Sequence, residues 1–345
     1  MKNKSGFTRF LGEYSYIFVF VIILIVYMIT NNGITWPAAM NIFRHSAAVG
    51  IIAVGMGMIC LTGDIDLSVG SMLAIVSGFS VVIFNVTNSV LLTLLFSLAF
   101  GAVLGLLNGL LVGRLEIPAF IATLATMLIF RSLSQYFCQH IGKELIGGGS
   151  SVYKMVNANS QYKPFYDFGN GKLFTVPNVG LILIAITVLF VYISTSTKFG
   201  KKVYAVGSNP KAALMTGISV PHIKVVVFTI TGLLVGLASF VWIGMNASSD
   251  PATTGNSYEM YAISAVVLGG ISMSGGKGRI LGVLFGAMSY TVIDKIIVAL
   301  KMDSLINNAI KGVILLVVIA IQIVTPKIRE KLRKACSEYR TNVCI

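Results

Sequence analysis

Charge is what this sequence has least of. Its 345 residues include 12 Asp and Glu and 26 Lys and Arg, so charged residues make up 11%, against roughly 25% in a soluble domain. No polar stretch is long enough to build a separate soluble domain. The three histidines, His45, His140 and His222, fall near the ends of apolar runs and form no buried proton relay. The four cysteines, Cys60, Cys138, Cys336 and Cys344, lack CxxC spacing and a nearby histidine cluster, so neither a metal site nor a disulfide framework is expected. A phosphate loop is missing too. In Gly270–Gly278, GISMSGGKG, Ile271 stands where the first glycine belongs, and Gly278 follows Lys277 where Ser or Thr should bind magnesium. No ATP hydrolysis and no cofactor are therefore expected on this chain. With no basic stripe carrying interleaved aromatics, the net charge of +14 does not signal nucleic acid.

What the chain does have is apolar surface, at 56% of residues. Basic residues lie between the apolar runs and at the two ends, where they orient helices and meet anionic lipid. The basic start, MKNKSGFTRF, leads into an apolar run with no small-x-small cleavage site after it, which reads as an uncleaved first span. Spans need roughly 17–25 apolar residues. The candidates are 16–30, 46–61, 68–84, 90–112, 118–137, 177–194, 224–244, 261–271, 280–300 and 306–324. The expected fold is thus all-α, a single polytopic membrane domain over residues 1–345 with about ten transmembrane helices, some of them broken or re-entrant. The eighth candidate is short, and Gly269, Gly270, Gly275 and Gly276 point to a break beside it. An even span count puts both termini in the cytoplasm, with Arg114, the loop 196–223, Lys277, Arg279 and the tail 326–345. The loop 138–176 then falls outside, although Lys143, Lys154, Lys163 and Lys172 argue against that side.

Within the loop 196–223 a short helix is written into polar sequence. Asn209 suits the N-cap, Pro210 the first turn, Lys211–Met215 the helix, and Gly217 its end. Such a helix presents a face to a partner. The segment 63–70, GDIDLSVG, places Asp64 and Asp66 between spans, where they either cap the next helix or serve a gate or a partner contact. An intramembrane aspartyl protease would need Asp64 level with Asp294, which lies deeper in its span. Asn108, Thr123, Arg131, Gln135 and Ser264 are polar positions inside spans and candidates for a pore lining. Ser and Thr equally satisfy their own helix backbone, and Arg131 can snorkel outward.

Four segments in order, LTGDIDLSVGSMLA, GLLNGLLVGRLEIPAFIATLATM, TKFGKKVYAVGSNPKAALMTGISV and YAISAVVLGGISMSGGKGRILGVLFGA, resemble the permease subunits of bacterial ABC importers for ribose, galactose, xylose and arabinose. The resemblance implies the ABC importer permease architecture in the bacterial cytoplasmic (inner) membrane. It implies a second permease subunit, identical or paralogous, an ATPase partner holding ATP and magnesium, and an extracytoplasmic sugar-binding protein. By the same resemblance Asn209, Pro210, Lys211, Ala212, Ala213 and Gly217 form the coupling region, while Gly63, Asp64, Asp66, Ser68, Gly70, Gly269, Gly270, Gly275 and Gly276 border the cytoplasmic mouth. The implied cargo is a monosaccharide. Permeases for nucleosides, autoinducer-type furanones or branched-chain amino acids share the architecture, and an ion-coupled carrier or channel is the reading of a different class.

Overall fold

The computed structural model describes residues 15–300, apart from 32 and 150, and seven isolated positions between 309 and 320. The tail 326–345 and most of the tenth expected span lie outside the described residues. The helices are α1 (Ser15–Thr30), α2 (Trp36–Thr62), α3 (Val69–Thr87), α4 (Val90–Gly113), α5 (Ala119–His140), α6 (Tyr162–Asn170), α7 (Asn178–Ser196), α8 (Lys198–Ser208), α9 (Pro210–Met215), α10 (Val220–Asn246), α11 (Tyr258–Leu268) and α12 (Ile280–Ala299). Seven of them are long and apolar enough to cross a membrane, and α1 and α11 are shorter apolar helices. Two-residue strands β1 (Tyr153–Lys154), β2 (Lys172–Leu173), β3 (Val176–Pro177) and β4 (Ser248–Ser249) pair antiparallel as β1–β4 and β2–β3.

Helix α2 is the axis of the molecule. From Ser46 to Thr62 every residue is buried, and a helix apolar on all sides belongs inside other helices. It contacts α7, α8, α10, α11 and α12. The sequence reading began this span at residue 46, because Asn41, Arg44 and His45 dilute the apolar run. The helix starts ten residues earlier, where the Thr35 side chain accepts from the Ala38 amide and Pro37 fits the first turn. His45 therefore lies within a span and not near its end.

The closest helix pair, α4 and α10, has almost no side chain between its members. Gly101, Gly105, Gly109 and Gly113 recur every fourth residue of α4 and form one stripe. A Cβ on Gly105 would stand 2.5 Å from the Phe228 carbonyl oxygen, and one on Gly101 would stand 2.8 Å from the Gly236 nitrogen. Lipid offers no hydrophobic drive for helix pairing, so close backbone packing of small residues supplies it.

Two helices, α3 and α11, are preceded by segments that are not helical. Helix α2 stops at Gly63, whose φ of 84° lets its N–H turn back to the Cys60 and Ile59 carbonyls. Residues 64–68 are not helical, and α3 begins only at Val69. After α10 the chain reverses at Ala247, runs through β4 and turns to residue 257, and becomes helical at Tyr258. The second of these segments lies along helix α3. Gly70 faces Gly255 backbone to backbone, and the Ser77 and Ser249 hydroxyls are 2.7 Å apart.

The break in the eighth crossing therefore precedes its helix, in the polar run SSDPATTGNS, and not at the glycines after it. Those glycines have other work. A Cβ on Gly269 would stand 2.6 Å from the Gly282 carbonyl carbon, where α11 crosses α12. Gly270, Gly275, Gly276 and Gly278 have positive φ and shape the turn between these helices. Two smaller boundaries also move. Helix α5 continues through Cys138 to His140, so the loop begins at Ile141, and α10 begins at Val220 with Pro221 in its first turn.

The glycine stripe generates a test. G105A should lower stability by about 1–3 kcal/mol, because the new methyl group drives against backbone that cannot yield as a side chain would. Thermal unfolding in detergent should show a lowered midpoint for G105A and a larger drop for G105V. An unchanged midpoint for both would mean that the α4–α10 approach contributes little.

Candidate functional site

Two groups of residues stand out, one at the end of the molecule that carries α8 and α9 and one around α3, its non-helical lead-in and the segment 247–257. At the first, Thr197 caps α8 by accepting from the Gly200 amide. Helix α8 turns Gly200, Val203 and Val206 inward. Asn209, extended at φ −161°, accepts from the Ala212 amide, and Pro210 takes the first turn of α9. Gly217, at φ 81°, ends the turn, and the Ile218 amide returns to the Ala213 carbonyl. Only Ala213 of α9 is buried, while Lys211, Ala212 and Leu214 are exposed and Met215 is 90% exposed. Six residues with two large apolar side chains in the open cannot fold for their own sake.

Helix α8, which carries α9, is bound tightly to the end of α2. A Cβ on Gly207 would stand 2.6 Å from the Gly276 nitrogen and would collide with the Leu61 carbonyl oxygen. The Gly276 amide donates to that same oxygen at 3.0 Å, and Tyr204 Oη donates to the Gly278 carbonyl at 2.8 Å. Gly63 lies against Ser274 and Gly275. Of the residues expected at the mouth, Gly63, Gly275 and Gly276 thus meet here, with Gly207, which the sequence reading did not single out. Asp64 joins from the side through an ion pair with Lys224 Nζ at 2.9 Å, at the start of α10. Thr62 Oγ1 also donates to Asp64. Asp64 therefore neither caps α3 nor meets Asp294, which sits in the electrostatic surroundings of His45, Tyr258 and Tyr290.

Asp66, Ser68 and Gly70 belong to the second group. Asp66 Oδ1 accepts from the Ser68 amide at 2.8 Å and from Ser68 Oγ at 2.6 Å, an Asx turn that carries the chain into α3. Asn108 Nδ2 donates to Ser68 Oγ at 2.7 Å. Thr123 Oγ1 accepts from the Leu67 amide at 3.1 Å and itself donates to the Ala119 carbonyl. Asp66, Ser68, Asn108 and Thr123 are all fully buried or within 1% of it. Asp66 Oδ2 and Asn108 Oδ1 have no hydrogen-bond partner. Four residues expected under separate headings, gate and pore lining, form one network.

Arg131 serves the segment 247–257. Its Nη1 donates to the Pro251 carbonyl at 3.0 Å and to the Thr254 carbonyl at 2.6 Å, so it does not snorkel. Glu259 and Asp250 act on it electrostatically. Asp250 also holds its own turn, accepting from the Ala252 amide and the Thr253 hydroxyl. Gln135 is one turn from Arg131 on α5 and half-buried. Ser264 is apart from this group and donates to the Met260 carbonyl of its own helix. Sequence reasoning missed Glu259, Asp250 and Thr254. An acid and a DP turn inside an otherwise apolar stretch were the available signal.

With this geometry in view, the comparisons with known proteins are direct. The family described as branched-chain amino acid transport system / permease component matches residues 38–321. The chain is 35% identical over 316 residues to the ribose import permease protein RbsC of Bacillus subtilis (strain 168), covering 91% of this chain and 93% of that protein. To RbsC of Escherichia coli (strain K12) it is 34% identical over 323 residues, 93% of this chain and 97% of the relative. To the L-arabinose transport system permease protein AraH of the same strain it is 30% identical over 316 residues, with coverage of 91% and 92%. No solved structure gives a significant match. These similarities run over nearly the whole chain, and it belongs to the branched-chain amino acid transport system permease component family.

Proposed function

We propose that this chain is the membrane-spanning permease subunit of an ATP-driven importer and that it moves a monosaccharide of the ribose or arabinose kind. The sugar reading rests on the ribose and arabinose permeases among its relatives. The observation that carries the ATP-driven reading is α9. It is capped at both ends, carried by α8, which packs on the end of α2, and left with Leu214 and Met215 in the open. An ATPase subunit that binds ATP and magnesium is the partner such a face fits. On this reading α8, α9, Gly63 and Gly276 lie on the cytoplasmic side. The loop 141–177 then lies on the extracytoplasmic side, from which the binding protein delivers the sugar, and two permease subunits enclose the pore.

The mechanism follows from the contacts. Drawing α9 inward when the ATPase dimer closes would load the Gly207–Leu61–Gly276 junction and the Asp64–Lys224 pair. Both lead to residues 63–68, whose helix-free backbone can rearrange with no helical turn to break. The Asp66–Ser68–Asn108–Thr123 network then holds one of the two states. Differential contacts of this kind are what allow ATP binding to shift the equilibrium between outward- and inward-facing forms.

Two variants test the proposal. K211E combined with A213P removes a positive charge from α9 and the Ala213 amide that donates to the Asn209 carbonyl. Sugar uptake should be abolished while the protein still reaches the membrane in normal amount, and normal uptake would remove the coupling assignment. T123V keeps the shape of the side chain but deprives the Leu67 amide of its acceptor. It should cost about 1–3 kcal/mol, lower the thermal midpoint and reduce uptake, whereas T123S should retain both. Equal behaviour of T123V and the parent would show that the network is dispensable.

A further inference from the structure

The hairpin formed by β2 and β3 is built in a way that its own stability does not require. Leu173 pairs with Val176, so Phe174 and Thr175 are the two residues of the tightest hairpin turn. Both have positive φ, 47° and 74°. A turn of this form favours Asn-Gly or Gly-Gly, and an aromatic and a β-branched residue there are strained. Strain of this kind persists where the surroundings enforce it and is a pointer to a function. The enforcing contact is visible. Trp36 Nε1 donates to Thr175 Oγ1 at 3.2 Å. The result is Phe174 held outward at 90% exposure, beside exposed Leu173 and Lys172.

The position of this tip is fixed by chain continuity. Helix α1 ends at Thr30, α2 begins at Trp36 itself, and α7 begins at Asn178, directly after β3. Three crossings therefore start or stop around the hairpin, so it lies at a boundary between bilayer and water. Ile22, Ile25 and Ile29 of α1 and Trp36 are all exposed, an apolar surface of the kind that suits lipid. Aromatic rings with a neighbouring Lys are the composition that settles among lipid headgroups.

We propose that the 172–177 hairpin is a membrane-interface anchor, with Phe174 inserted among phospholipid headgroups and Lys172 beside their phosphates. Trp36 is the positioning residue that aims it. The anchor fixes the level and tilt of α2 and α7 at this boundary, and its existence does not depend on the cargo or on the ATPase. A soluble partner protein docking on the tip is the competing occupant, and it would leave Phe174 in water when that partner is absent.

The test uses the full chain in phospholipid nanodiscs, with no partner protein. F174W places a fluorophore at the tip. Because the parent side chain packs against so little, the exchange does not put folding at stake. After subtraction of the parent emission from Trp36 and Trp242, the new indole should emit to the blue of hydrated tryptophan. Lipids brominated near the headgroup should quench it more than lipids brominated at the chain ends, and iodide should quench it weakly. Emission at the hydrated position, with strong iodide quenching and no lipid quenching, would overturn the anchor and favour a protein partner. In the same experiment W36F should red-shift the F174W emission by releasing Thr175, and an unshifted spectrum would remove Trp36 from the argument.

Discussion

A bilayer supplies no hydrogen bonds, and that constraint governs how this chain can leave the lead-ins to α3 and α11 unwound. Every N–H and C=O freed from a helix must find a partner inside the protein. The Leu67 amide finds Thr123, and the Ser68 amide finds Asp66. The Pro251 and Thr254 carbonyls find Arg131, and the Asp250 amide finds the Thr254 hydroxyl. The polar residues inside the spans are therefore first of all the means by which irregular backbone is tolerated at depth. Any part they play in transport is built on that duty.

The same constraint explains which features were legible in the sequence. Helix existence was plain, because a span is a long apolar run and chain composition alone reveals it. The cap and stop of α9 were plain as well, since Asn209, Pro210 and Gly217 act on immediate neighbours. What the sequence hid was pairing over distance. Asp66 and Asn108 are 42 positions apart, Arg131 and Thr254 farther still, and nothing in local pattern joins them. Glycine was the other source of error. At Gly269 the small residue both ends α11 and lets it cross α12, and only the neighbouring Gly282 reveals the second role. The four-residue glycine spacing in α4 was readable in principle, yet its partner surface on α10 was not.

Three chain ends share one small space. The last turn of α2, the last turn of α8 and the turn between α11 and α12 approach so closely that Gly207, Gly275 and Gly276 leave no room for a side chain. Contact there is carried by backbone. A force applied to α9 cannot be absorbed by a rotating side chain and must move one of the attached elements. In a well-packed interior such a load is resolved by switching between discrete arrangements and not by gradual deformation.

Helix α10 lies along α4 with backbone against backbone over most of its 27 residues, a length of about 40 Å at the usual rise of a helix. Its first turns hold Lys224 beside the docking end, and its last residue leads into the unwound 247–257 segment at the opposite face. A glycine seam has no long side chains to shear, so the pair behaves as one stiff push-rod. A displacement delivered near Lys224 would emerge, with little loss, at Ala247, where the chain turns back.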